Sequence, residues 1–285
     1  MTDAGNRAGD EIAWKVEVLS KRACAWPRRM AQGPARLIGA EELRGWVLFE
    51  DERLLVINKP GDVVCHPSKA GPWSSLAGAV RECFGLAAAH LVFRLDRETS
   101  GVVVFAKDAE MAKRLQGAMQ ERKVRKSYRA LLTGRLAEKV TVDQPLGDDV
   151  ASPVFVKSTV REDGQRAVSH FSPLAWSEDG AGKEDGGFTL ARVVTETGRK
   201  HQIRAHAQWL GHWIAGDKIY GPDARWYLEF IDHGWTPAMA EKLFLPRQAL
   251  HCAEIDLREA GVERVFTAPL AEDLREFCAA RKLGI

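Results

Sequence analysis

An aspartate flanked by two arginines, Arg94-Leu95-Asp96-Arg97, stands directly ahead of the turn-forming run Glu98-Thr99-Ser100-Gly101. A carboxyl group with an ordinary pKa of about 3.9 is ionised at neutral pH, and neighbouring guanidinium groups lower that value further. Such a group is suited to be a nucleophile and unsuited to be a general acid. In extended backbone the period of two places Arg94 and Asp96 on one face and Leu95 on the other, so Arg94 can stand beside the carboxylate. A structural ion pair, with Arg94 or Arg97 neutralising Asp96, would use the same residues, and the local sequence does not choose between the two.

Two further groups of residues could meet an anion. Arg122, Lys123, Arg125, Lys126 and Arg129 crowd one short stretch against the single acid Glu121, which makes a candidate phosphate-facing surface. Arg199, Lys200 and His201 stand where a helix is expected to begin, and free N–H groups and the helix dipole favour an anion there. His201 and His206 are separated by i, i+5, which does not bring two imidazoles together on a helix as i, i+4 would, so no metal site is expected. Asp217, after Gly216, reads as a turn residue.

The elements that must position these groups are legible from periodicity. Leu54-Leu-Val-Ile-Asn-Lys-Pro60 is an apolar strand stopped by Pro60-Gly61, and Gly101-Val-Val-Val-Phe-Ala-Lys107 is a second. Asp108 suits an N-cap, followed by Met111, Leu115, Ala118 and Met119 at helical spacing to near Arg122. Ser127 to Thr133 and Phe188 to Val194 read as strands, with a Gly- and charge-rich mobile loop expected over 177–187, between the segment Phe171 to Trp176 and the second of these strands. A helix is expected over Lys200–Leu210 with Gly211 as its C′ glycine, burying Ile203, Ala207 and Leu210 while His201, Arg204 and Gln208 share another face. Strands outnumber helices in mixed order, so the class is α+β. Residues 1–45 read as an arm or lead-in without an independent core, and 46–285 as the functional domain.

Composition excludes more than it selects. The 285 residues are 45% hydrophobic and 28% charged, which fits neither a disordered nor a fibrous chain. A net charge of +2 falls short of a balance that would by itself announce a nucleic-acid binder. The five cysteines are scattered with no Cys-x-x-Cys, as expected for inert thiols in a reducing compartment. With neither a signal-peptide layout nor an apolar run of membrane-spanning length, a cytoplasmic protein without membrane association is expected.

Several motifs taken in order resemble the RluA-type family of pseudouridine synthases. Arg94-Leu-Asp-Arg-Glu-Thr-Ser-Gly101 with the following Val-Val-Val-Phe-Ala-Lys107 is similar to its central motif, with Phe93 where the family usually has histidine. Asn58 to Pro67, Lys126-Ser-Tyr-Arg-Ala-Leu131, Thr197-Gly-Arg-Lys-His-Gln-Ile-Arg-Ala-His206, Gly216 to Gly221 and Arg247 to His251 complete the series. An ordered set over roughly residues 46 to 275 is far more specific than any single short motif. The resemblance implies an enzyme of the pseudouridine synthase fold, a mixed, mainly antiparallel sheet with flanking helices and a central cleft. It implies Asp96 as the catalytic nucleophile, Arg94 as a neighbour that holds the flipped site open, Tyr128 as a stacking platform for uracil and Arg204 as the partner that keeps Asp96 ionised and oriented. The substrate implied is a uridine in ribosomal or transfer RNA, flipped out of a stem-loop, with no cofactor, since the isomerisation involves no redox step, and no obligate protein partner. The lead-in is too short for the S4-type RNA-binding domain that family members often carry, so RNA choice is expected from the catalytic domain and from the insertion Pro222 to Pro246, with its Trp226, Tyr227, Phe230 and Trp235. Two other classes use parts of the same sequence. A non-catalytic RNA-binding module would keep the basic cleft, and a glycosidic hydrolase would need a second carboxylate flanking the bond.

Overall fold

A computed structural model describes residues 36–66, 71–177 and 186–284 of the chain. Residues 1–35 and 178–185, which include most of the expected arm and of the expected mobile loop, lie outside the described residues. Helix α1 (Ala40–Gly45) leads into β1 (Val47–Glu50) and β2 (Leu54–Lys59), followed by α2 (Leu76–Cys83), β3 (His90–Leu91) and β4 (Ser100–Ala106). Then come α3 (Ala109–Gln120), β5 (Arg125–Thr133), β6 (Val140–Asp143), β7 (Leu146–Asp148), β8 (Ser158–Val160), β9 (Val168–Trp176) and β10 (Phe188–Thr195). The remainder is α4 (Gln202–Trp209), α5 (Arg225–His233), α6 (Pro237–Leu243), β11 (Leu250–Asp256), β12 (Val265–Thr267) and α7 (Glu272–Ala280).

Ten strands make one sheet in the order β1-β2-β4-β11-β5-β10-β9-β6, with β3 and β12 paired to β4 and β11, while β7 and β8 form a separate hairpin. Every pairing in the large sheet is antiparallel except β11 on β4. The α+β class and the mainly antiparallel sheet therefore stand as expected. β4 is buried along its whole length and β2 almost so, which explains their unbroken apolar sequences: both faces are covered, so no polar alternation is needed. Asp108 caps α3, its side chain accepting from the Met111 N–H.

Three expectations need correction. Ile38 and Leu43 are buried in the main core, so the globular unit begins ahead of residue 46. The strand expected from Ser127 starts at Arg125, because pairing with Asp256 of β11 extends it. The helix expected to bury one face, α4, is covered nearly all round: Gln202, Ile203, Arg204, Ala205, His206 and Ala207 are all buried. Its polar residues find internal partners instead of water, as with His206, whose Nδ1 meets Ser169 Oγ and whose Nε2 meets the Gln144 carbonyl, both at 3.0 Å.

The parallel junction between β4 and β11 depends on Gly101. Its φ is +113°, and a Cβ there would overlap the Cys252 carbonyl and lie 2.6 Å from the Cys252 nitrogen. Gly101→Ala is expected to destabilise the protein by about 2 kcal/mol or more, through positive φ and the clash together. Thermal unfolding checks this, with the midpoint expected to fall by roughly 4 to 8 °C.

Candidate active site

Asp96 lies in the segment between β3 and β4, whose backbone is pinned by buried cations. The Lys59 ammonium, with no exposed surface, donates to the carbonyls of Pro60, Val63 and Arg97 at 2.8, 2.8 and 2.9 Å. Burial lowers its pKa to about 8, so it stays mainly protonated at neutral pH. Arg247 donates to the Glu98 carbonyl while paired with Asp273, and Lys218, 2.8 Å from the Glu98 carboxylate, also donates to the Pro246 carbonyl. Gln248 donates to Thr99 Oγ1 at 2.7 Å. Leu95 is buried while Arg94 is exposed and Asp96 partly exposed, the alternation expected of extended backbone.

Sheet register brings a second group to this place. Cys252 of β11 pairs with Gly101 on one side and with Tyr128 on the other, so Gly101, Cys252 and Tyr128 form one row across three strands. Tyr128 is 7% exposed and packs in the main core, with its hydroxyl toward the Cys252 thiol. Burial pushes that phenol well above its usual range, with smaller upward contributions from Cys252 and Asp96, so it remains protonated.

From the other side α4 delivers Arg204. Its Nη1 donates to Asp96 Oδ2 at 2.9 Å, while Nε and Nη2 donate to Asp217 at 2.6 and 2.9 Å. One guanidinium thus bridges two carboxylates, gripping Asp217 in the bidentate manner and Asp96 by its remaining edge. Asp217 is fully buried and also accepts from the backbone N–H groups of Ile219 and Tyr220, both at 3.0 Å, so it is a turn residue as read from sequence and an anchor for Arg204 besides. The Tyr220 ring lies under the guanidinium, 4.9 Å from centroid to Cζ. His201 places Nε2 3.9 Å from Asp96 Oδ2 and Nδ1 3.0 Å from the Tyr220 hydroxyl.

These neighbours set the protonation states. Loss of solvent alone would raise the Asp96 pKa, but the charge that His201 acquires in the acid range, the charge of Arg204 and the hydrogen bonds from Arg204 and Gln248 outweigh it and hold the carboxyl below the usual aspartate value. Burial, reinforced by the Arg204 charge, lowers His201 to about 4 against the pull of Asp96 and Asp217. At neutral pH the site therefore holds an ionised Asp96, a cationic Arg204 and a neutral His201.

The other residues singled out in the sequence divide. Arg94 and Arg97 are exposed and, among the described residues, form no ion pair, so Asp96 is paired by Arg204, 108 positions away, and not by its sequence neighbours. Arg122, Lys123 and Arg125 are exposed, with Lys123 paired to Glu121 and Arg125 to Glu259, and strand alternation turns Arg125 to the face opposite Tyr128. Lys126 departs from the expected phosphate surface: alternation puts it on the packed Tyr128 face, 7% exposed, its ammonium 5.4 Å from the Phe93 ring centroid and its pKa lowered by burial. His201 departs too, since it faces Asp96. Arg199 and Lys200 are exposed ahead of α4, held by the Arg166 carbonyl and by Asp148. The 222–246 insertion forms α5 and α6, and its Phe230 and Trp235 stack about the Lys218 ammonium that holds Glu98. Asp217, Tyr220, Gln248 and Lys59 escaped the sequence reading as members of the site. The signal available was their position inside motifs already noted.

The chain matches the family model described as RNA pseudouridylate synthase over residues 53–209. The protein of Bacillus subtilis named uncharacterized RNA pseudouridine synthase YjbO is 38% identical over 180 residues, 61% of this chain and 60% of that protein. Ribosomal large subunit pseudouridine synthase D of Pseudomonas aeruginosa is 32% identical over 246 residues, 82% of this chain and 71% of the relative. Among solved structures, human RNA pseudouridylate synthase domain containing 4 superposes with a TM-score of 0.65 at 24% identity, covering 86% of this chain and 96% of the other, which shows a shared fold.

Proposed function

Because this chain belongs to the RluA-type family of RNA pseudouridine synthases, we propose that it isomerises uridine to pseudouridine in RNA with Asp96 as the attacking carboxylate. The observation that carries the reading is the single carboxylate held ionised at a partly open position by a guanidinium that is itself fixed by a buried aspartate.

The reaction breaks the bond from N1 to C1′, turns the uracil and joins C5 to C1′, with the C5 proton lost and N1 protonated, so oxidation state is conserved and no cofactor is called for. Attack on C1′, addition to C6 and passage through a glycal each require an ionised carboxylate at the junction of sugar and base. Arg204 keeps Asp96 in that state and aims it. A stacked uridine is out of reach of such a group, so the base is flipped, at a cost of a few kcal/mol. Arg94, exposed beside Asp96, holds the vacated position in the RNA, and Tyr128 stacks on the flipped base. Such stacking contributes about 1 to 3 kcal/mol per base. Arg199 and Lys200 supply phosphate contacts by exchanging surface partners that contribute little to stability. Relatives named for the ribosomal large subunit favour ribosomal RNA as the substrate and the cytoplasm as the location.

The test is the product. Incubation with cellular RNA is expected to yield pseudouridine without release of free uracil, as read by nucleoside mass spectrometry. Free uracil as the main product would mark a hydrolase, and binding without any product would mark a non-catalytic RNA-binding module.

A further inference from the structure

His201 is held in a way that the chemistry assigned to Asp96 and Arg204 does not use. Its backbone is in the left-handed region, φ 56° and ψ 20°, directly before α4, a conformation that costs a residue with a Cβ of order 1 kcal/mol and is kept only where the surroundings impose it. The side chain is fixed at both ends. Nδ1 meets the Tyr220 hydroxyl at 3.0 Å, and that buried hydroxyl accepts the Ser158 backbone N–H at 2.7 Å, which leaves its own proton to be directed at Nδ1. Nε2 is turned toward Asp96 but stops 3.9 Å from Oδ2, beyond a direct hydrogen bond. Arg204, Asp217, Lys200, Asp96 and Tyr220 are the charged and titratable groups around the ring, and burial with Arg204 keeps it neutral.

The gap fits one hydroxyl. An oxygen about 2.8 Å from both Nε2 and Oδ2 would accept from the first and donate to the second. C2′ is bonded to the reacting C1′, so a carboxylate aimed at the junction of sugar and base has the 2′-hydroxyl within reach. We propose that His201 carries its proton on Nε2 and donates it to the ribose 2′-hydroxyl of the target uridine, making it the residue that tells ribonucleotide from deoxyribonucleotide at the reacting position. This rests on the isomerase reading.

Single-turnover rates on one target RNA, with uridine or 2′-deoxyuridine at the reacting position, test it in the wild type and in His201→Leu, His201→Gln and Tyr220→Phe. The wild type is expected to lose about 10- to 100-fold on the deoxy target. His201→Leu should lose part of that factor on uridine and little more on deoxyuridine, because the deoxy target already lacks the hydroxyl that His201 contacts and a bond already absent is not lost again. His201→Gln, whose amide nitrogen can reach the Nε2 position, should recover part of the rate on uridine only. Nitrogen-15 spectra of the histidines should show Nδ1 unprotonated in the wild type and altered in Tyr220→Phe. Losses that multiply, or a His201→Leu variant as fast as wild type on uridine, would overturn the proposal while leaving the isomerase reading intact. Absence of pseudouridine from wild-type reactions on any RNA would overturn both.

Discussion

Asp96→Ala is expected to lower pseudouridine formation by about 10⁴-fold or more, since no other group at the site can take the place of the attacking carboxylate. Fold and RNA affinity should survive. The Asp96 side chain is 34% exposed, and Arg204 keeps both of its bonds to Asp217 when Asp96 is removed, so no buried charge is left alone. Loss of a negative charge beside incoming phosphates should leave RNA binding unchanged or slightly tighter. Asp96→Asn sharpens the test, because the amide oxygen still accepts from Arg204 while the nucleophile is gone. If Asp96 served only as a structural partner, Asn would retain activity. The pH profile of the wild type gives an independent reading. The carboxyl is held below the usual aspartate range and His201 near 4, so the rate should be level from pH 8 to 6 and fall only from about pH 4 downward, first as the imidazole charges and at lower pH as protonation removes the anion. An acid limb centred at pH 6 to 7 would contradict this assignment.

Arg204→Met should impair both stability and rate. It leaves Asp217, fully buried, without its counter-charge, and breaking a buried pair from one side costs about 3 to 5 kcal/mol. For a chain of this size that corresponds to a thermal midpoint lower by roughly 6 to 20 °C. The rate should fall by about 10²-fold or more, as Asp96 loses the bond that orients it. Arg204→Lys should restore little, because one ammonium cannot reproduce a fork that grips Asp217 twice and Asp96 once. Adding Asp217→Asn to Arg204→Met separates the two effects. The amide oxygen still accepts from Ile219 and Tyr220 and the stranded charge is gone, so most of the stability should return while the activity stays lost. Recovery of rate together with stability would show that Arg204 acts on the fold alone.

Short-range order was readable in the chain, and long-range pairing was not. The apolar runs of β2 and β4, the Asp108 cap of α3 and the Gly211 that ends α4 in positive φ follow from periodicity and turn chemistry over a few residues. The insertion of β11 between β4 and β5 does not, because it joins segments some 120 to 150 positions apart and shows locally only as a glycine. Asp96 stood out by composition, yet its sequence neighbours Arg94 and Arg97 form no ion pair with it among the described residues and its partner comes from α4. α4 looked amphipathic because His201, Arg204 and Gln208 share a face apart from Ile203, Ala207 and Leu210. The fold buries Arg204, and His206 with it, and satisfies both internally, which helical periodicity cannot distinguish from exposure. Lys126 misled for the converse reason: it belongs to a basic run by sequence and to the packed Tyr128 face by strand alternation. His201 was grouped with Arg199 and Lys200 as an anion contact, but its left-handed backbone turns the ring toward Asp96.

The central claim is that the Asp96 carboxylate converts uridine to pseudouridine in RNA. The most direct measurement is nucleotide-resolution mapping of pseudouridine in total RNA incubated with the wild type or with Asp96→Asn at equal concentration. A small set of uridines should be converted by the wild type and none of them by the variant. Conversion of the same uridines by Asp96→Asn at the wild-type rate would contradict it.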